Sequence, residues 1–197
     1  QIMGADFFLP VTLGAQLPNF DGIRFQLADA TYTFSGQAVF PNDITPSADF
    51  ILRMSRRYLH APALAGGRSP FGIDSSGMVQ MVFKIAGILL PREAAQQVFM
   101  GETVDFIEQS QPGDLAFFED RMGRIAHVGI LMPNNQVIHT YGKVRIDNID
   151  HFGIYNITEN RYTHKLRVVK RVLPKLQSSN KEATQTADFV QNQIELF

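Results

Sequence analysis

GIDSSG at residues 72–77 sets an acid and two hydroxyls directly before the apolar run MVQMVFKIAGILL. A helix is expected to begin there. Its first N–H groups have no partners within the helix, so with the positive end of the dipole they stabilise an anion or a developing oxyanion. Ser75 and Ser76 occupy that place. His127 lies in the alternating stretch RIAHVGILM and His139 in QVIHTYG, with PNN at 133–135 between them. Pairing around Asn134 brings the two imidazoles together, the arrangement in which one ring orients another that acts as a base. A hydroxyl, a base and an orienter are thus available. Each residue also has a plainer role: Ser75 or Ser76 as a helix cap, Asp74 as an N-cap or turn residue, His127 as a core histidine, His139 as a surface one.

Other chemistries are poorly supplied. Cysteine is absent, which removes disulfides, thiolate metal sites and thiol nucleophiles from the chain as it stands. HVGI and VIHT do not give ligand spacing on one element, and His60, His151 and His164 are scattered, so neither a metal nor a cofactor is expected. His151 and His164 read as surface residues. The formal charge is −1 and no long run of Lys or Arg occurs, which speaks against nucleic acid. No apolar stretch reaches the length of a membrane span. The N-terminus, QIMGADFFLP, has no charged-then-apolar leader and reads as the interior of a longer precursor.

The elements that must hold these residues follow from period and punctuation. At 197 residues with 45% hydrophobic, the chain suffices for one good core and a small accessory unit. FFLPVTL, IRFQLA and TYTFSGQAVF, separated by Gly, Pro, Asn and Asp, read as a small barrel or meander over 1–42. PNDITPS (41–47) marks a boundary, and ADFILRMSRRYL is then helical, with Phe50, Ile51, Met54 and Leu59 sharing a face. GGRSPFGIDSSG is a loop. Met78, Val79, Met81, Val82 and Ile85 define a buried helix ending near Gly87, and ILLPREAAQQVFMG gives a short helix capped at Gly101. After a turn at QPGD, the runs DLAFFE, RIAHVGILM, QVIHTYG and KVRIDNI are successive antiparallel strands, and LRVVKRVL is a last one. The expected fold is α+β, a helix packed on an antiparallel sheet over 43–176, with a polar tail at 177–197 in which ADFVQNQIELF has weak helical periodicity.

Several ordered blocks resemble the NlpC/p60 family of papain-like cell-wall peptidases. ALAGGRSPFGIDSSGMVQ at 63–80 is similar to the family's YLWGGRSPFGIDCSGLVQ, and LPREAAQQ, PGDLAFF, HVGILMP and VIHT follow in the family's order. The likeness runs from about Ser47 to Val172, and the preceding unit resembles, more loosely, the bacterial SH3-like barrel that walls one end of the substrate cleft. The resemblance implies hydrolysis of short peptidoglycan peptides, commonly between D-glutamate and a diamino acid, in the bacterial envelope, by a Cys–His–His triad. It places the nucleophile at Ser75, the base at His127, the orienting residue at His139, and contacts to the peptide's free amine at Asp74 and Ser76.

Three positions depart from the pattern. Cys is replaced by Ser75, and the Tyr and Trp of the loop by Ala63 and Ala65. A hydroxyl needs a well-matched base and a firm oxyanion hole where a thiol is already partly ionised, so most of the rate is expected to be lost. The leading expectation is an impaired or inactive domain that still binds cell-wall peptides. The runner-up is a working hydrolase, with Ser75 as nucleophile or with a native cysteine replaced. A third reading is an interaction module for an envelope protein. Arg68 and Arg92 are expected to tie the loop or helix to the sheet.

Overall fold

Near-continuous apolar runs such as LAFF and VGILM produce strands with two buried faces, and in the computed structural model those strands curl until the sheet meets itself. The structure describes residues 1–40 and 43–174, and the backbone of 195–196. Two units result, built on Gln1–Thr45 and Pro46–Leu173.

In the first unit, β1 (Ile2–Met3), β2 (Phe8–Leu9), β3 (Arg24–Leu27) and β4 (Ala30–Phe34) form an antiparallel sheet in the order β2-β1-β4-β3. FFLPVTL yields only the two residues of β2, because Pro10 cannot donate to a ladder. Leu17, Phe25 and Phe34 are its buried centre, with Phe25 stacked on Tyr32 at 5.5 Å. The short β5 (Ala38–Val39) pairs with β15 (Glu195–Leu196); the rest of the expected polar tail lies outside the described residues.

The second unit opens with α1 (Ala48–Arg56), whose N-cap Ser47 accepts from Phe50 N at 3.3 Å. Its buried face is Ile51, Leu52, Met54 and Ser55. Phe50 is only half-buried, and Leu59 falls beyond the helix, where Tyr58 is the buried residue instead. A two-residue hairpin, β6 (Arg68–Ser69) and β7 (Gly72–Ile73), precedes α2 (Ser75–Ile85). Met78, Val79, Met81, Val82, Phe83 and Ile85 are all buried, and each full burial is worth about 1.5–3 kcal/mol. A helix apolar nearly all round has to be enclosed, and α2 is covered by α1 and the sheet. α3 (Ala94–Gln97) is shorter than expected: it ends at a cap on Val98, so Gly101 lies beyond it.

β8 (Glu102–Val104) and β9 (Leu115–Glu119) are followed by β10 (Ile125–Met132), β11 (Gln136–Tyr141), β12 (Lys143–Ile149), β13 (Gly153–Asn156) and β14 (Arg161–Arg171). The sheet order is β13-β12-β11-β10-β9-β14-β8, and β13 also pairs with β14. Strands β9 to β14 therefore close into a ring. Its interior is a cluster of Ala116, Phe118, Leu131, Val137, Ile149, Ile154 and Val169. The alternate residues Phe117, Val128, Ile130 and Ile138 are equally buried on the face against which α2 packs. The antiparallel sheet expected from the sequence is thus closed on itself. Closure depends on β13, on the early start of β14, and on bulges at Ile154/Tyr155 and Leu166/Val168 that bend the paired strands.

At the seam, Gly153 has φ 140° and a Cβ there would lie 1.8 Å from the carbonyl oxygen of His164. Backbone cannot retreat as a flexible side chain would. Gly153→Ala is expected to cost at least about 2 kcal/mol, read as a lowered urea midpoint, with loss of hydrogen-exchange protection first at the β13–β14 pairing.

Candidate active site

The start of α2 is capped by Asp74 and not by either serine. Asp74 Oδ1 accepts from Gly77 N at 2.7 Å, Oδ2 accepts from Gly66 N at 2.7 Å, and Arg92 donates to both oxygens at 2.9 and 2.5 Å. Burial pushes the Asp74 carboxyl up, but the bonds from Arg92, Gly77 and Gly66 outweigh it and hold it below its usual range. Arg92 also donates to Ser76 Oγ at 2.9 Å, and the buried Gln97 donates to the Ser76 carbonyl at 3.0 Å. Arg92 thus ties the segment before α3 to the start of α2 instead of to the sheet. Arg68 reaches Met81 Sδ in α2 at 3.4 Å. Ser75 is buried beside this network, and among the described residues its Oγ makes no hydrogen bond.

Backbone pairing carries the sheet to Ser75. His60 N donates to Val144 O at 2.9 Å, Val144 N to Ala61 O at 2.8 Å and Ala63 N to Gly142 O at 3.0 Å. Ile73 N in turn donates to Pro62 O at 3.0 Å and Leu64 N to Ile73 O at 3.1 Å. Two extended segments thus lie beyond the β11–β12 hairpin, and the second ends two residues before Ser75. Ala63 and Ala65, on this edge, are exposed.

The hairpin between β10 and β11 turns on Asn134 and Asn135, both at positive φ as a tight primed turn requires. Ile130 faces Ile138 and Met132 faces Gln136, which makes His127 and His139 diagonal neighbours on one face. Gly129 stands opposite His139; a Cβ there would meet Val137 Cγ2 at 2.5 Å and His139 Cβ at 3.2 Å, so its absence leaves room for the imidazole. His127 Nε2 and His139 Nδ1 are 2.9 Å apart.

Asp147, which the sequence reading did not single out, completes the chain. His139 is fully buried, and its Nε2 lies 2.9 Å from Asp147 Oδ2. Arg145 Nη2 donates to Asp147 Oδ1 at 2.7 Å and to Asn156 Oδ1 at 3.2 Å. Burial raises the Asp147 carboxyl, yet bonds from His139 and Arg145 prevail and keep it below its usual range. An ionised Asp147 can only accept, so His139 carries its proton on Nε2 and offers Nδ1 as acceptor. His127 then carries its proton on Nε2, and its Nδ1 keeps a free lone pair. One carboxylate assigns both tautomers through the hydrogen-bond network.

His164 overturns the surface assignment made from sequence. Its ring is stacked on His127 with centroids 4.1 Å apart and planes at 28°. It meets His139 edge-on at 5.3 Å and Tyr141 at 5.4 Å, and its Nδ1 is 2.9 Å from Thr163 Oγ1. The signal lay in period two: Tyr162, His164 and Leu166 alternate once β14 is begun at Arg161 and not at Leu166. His60 and His151 remain exposed and outside the cluster.

Burial lowers the pKa of all three imidazoles. His127 is pushed well below its usual value by burial and then by the charges of His164 and His139. His139 is lowered by burial against the pull of Asp147, and His164 is lowered to about 4 by burial and then by His139. The three rings each offer a nitrogen within 4.8 Å of the others, a spacing that invites a metal. The stack argues against one: in-plane lone pairs of nearly parallel rings run side by side instead of converging, and the nearest nitrogens already bond each other. What the cluster can supply is a neutral general base at His127 Nδ1.

Two outcomes follow. Asp147→Asn is expected to cost roughly 3 kcal/mol by stranding Arg145, and imidazole ¹⁵N spectra should show His139 in mixed tautomers. The lowered histidines also set a pH window. Below the usual 6.5 the unfolded chain binds protons that the folded chain refuses, His164 until about pH 4. Stability is therefore complete above 6.5 and falls on acidification through that window, which urea titrations at successive pH values measure.

Comparison with known proteins agrees with this geometry. The model of the NlpC/P60 family matches residues 62–185. Gamma-D-glutamyl-L-lysine dipeptidyl-peptidase of Bacillus cereus is 34% identical over 127 residues, covering 63% of this chain and 36% of the relative. Its Bacillus subtilis namesake is 33% identical over 129 residues, covering 64% and 41%. The chain thus spans well under half the length of these relatives. Among solved structures, an NlpC/P60 family protein of Bacillus cereus superposes with a TM-score of 0.62 at 27% identity, covering 80% of this chain and 53% of that one. The family model covers more than half of the chain and its segment contains the capped helix, the hairpin and all three clustered imidazoles: the chain belongs to the NlpC/P60 family.

Proposed function

We propose that this chain binds short peptidoglycan peptides in the bacterial envelope and has lost most of the hydrolytic power of its family. The observation that carries this reading is a mismatch within the site. The base and its supports are complete from Asp147 through His139 to His127, while Ser75 Oγ, at the nucleophile position, has no hydrogen bond among the described residues. A thiol gives up its proton to imidazole before attack; a hydroxyl transfers it only as the new bond forms, and needs the base within hydrogen-bond reach.

The remaining contacts suit retention better than turnover. Ala63 and Ala65 leave the loop side of the cleft without the aromatic walls that the family resemblance implies, which widens the space beside Ser75. An incoming ammonium at Asp74 and Ser76 has to share that carboxylate with Arg92, whose charge already neutralises it. The unit over 1–42 is read as an SH3-like module assisting the domain over 43–176, with a tail at 177–197. No helix of the described residues is long and apolar enough to cross a membrane.

A second reading has its own support. A neutral imidazole backed by a carboxylate is what a serine nucleophile requires, and that favours slow hydrolysis through Ser75. Incubation with γ-D-glutamyl-L-lysine dipeptide and tripeptide fragments separates the two. The expected result is binding seen by calorimetry, with turnover no greater than in His127→Ala. Turnover well above that control overturns the impaired reading. Ser75→Cys is expected to raise turnover roughly 10²-fold or more, with a further gain from Ala63→Tyr and Ala65→Trp. No gain from the thiol assigns the loss to the cleft walls. Absence of peptide binding at millimolar concentration sinks the peptide-binding reading altogether.

A further inference from the structure

The hydrogen-bonded chain from Asp147 to His127 is complete without His164, yet the fold brings His164 face-on to the terminal ring. A single hydrogen bond at Nε2 leaves His127 free to swing about the line of that bond. A flat neighbour at 4.1 Å removes this freedom on one side, and Phe118, at 5.7 Å and tilted by 51°, crowds it from another. His164 is itself held by Thr163 and by the edge of Tyr141. Its backbone is pinned where the seam strand comes closest, at Gly153.

We propose that His164 is a positioning residue: it clamps the plane of His127 and excludes a positive charge beside it, so that His127 serves as a neutral base and not as the imidazolium of a thiolate pair. The stacked pair takes one proton and not two in a site this dry, and a proton carried by His164 bars one from His127. The groups facing His164 are few. His127 comes from β10, His139 and Tyr141 from β11, and Phe118 from β9. Asp147 with Arg145 stands on β12, and Glu159 in the turn before β14. The carboxylates of Asp147 and Glu159 favour a charge on His164, but burial and His139 outweigh them. The inference takes from the proposed function only the role of His127, and it goes beyond that reading by predicting how the site responds to a thiol.

The test needs no substrate. In the full chain with ¹⁵N-labelled histidine, His127 is expected to show the single Nε2–H tautomer and to stay neutral well below pH 6.5. His164→Phe keeps a stacked face without a chargeable ring; the tautomer should persist while the titration of His127 moves up by at least about half a pH unit. His164→Ala removes the clamp as well, and should give mixed tautomers and a larger upward shift. In Ser75→Cys, alkylation by iodoacetamide should follow a thiol near the ordinary ~8.5, and adding His164→Phe should lower that value by about one unit. The proposal is overturned by a His127 titration in His164→Phe that matches the parent chain, whether or not His164→Ala folds. It is equally overturned by an unchanged thiol pH profile in the double variant. Because every readout is spectroscopic or a labelling rate, success or failure of peptide turnover leaves the result untouched.

Discussion

A carboxylate held almost wholly out of water at Asp147 dictates what surrounds it. Burying a charge without partners costs several kcal/mol, so Asp147 must find donors, and it takes His139 on one oxygen and Arg145 on the other. That choice propagates. With the His139 proton committed to Asp147, the opposite nitrogen can only accept; His127 must donate to it, and the last nitrogen of His127 is left basic. The direction of every proton at the mouth of the ring thus follows from one acid placed on β12.

Asp74 shows the same chemistry put to another use. It too is partly buried and accepts from an arginine, but its other donors are backbone N–H groups of the glycine loop and of the first turn of α2, with the Ser76 hydroxyl at 3.3 Å. There the charge organises a loop and a helix end, and the serines beside it are released from capping. Ser75 is consequently buried, and its Oγ makes no hydrogen bond among the described residues. The two acids thus organise different parts: one secures the start of α2, the other sets the protons of the imidazoles.

Ring closure joins these parts. Because β13 pairs with β12 and β14, the polar residues at one end of the closed strands are forced together as a small cluster in place of a row along an open sheet. Three imidazoles in such a space cannot all be charged. Register between β10 and β11 brings His127 to His139, and closure adds His164 as a third ring stacked on His127.

Much of this was legible in the residues themselves. Alternation marked β9 to β12, PNN fixed the turn and therefore the meeting of His127 and His139, and the polar-to-apolar step at Ser75 marked the helix start, because local period and turn chemistry determine these features. The cap could not be assigned, since Asp74, Ser75 and Ser76 are all competent and only the nearness of Gly66 and Arg92 chose the acid. Asp147 and His164 were missed for a related reason. Each looks ordinary in its own strand, and its partner is set by register between strands or by a seam joining residues 154 and 164. Sequence by itself determined which groups were present and which faces they shared; tertiary structure decided which of them bear on one another, because the energetics of a buried proton depend on distances that only the closed sheet creates.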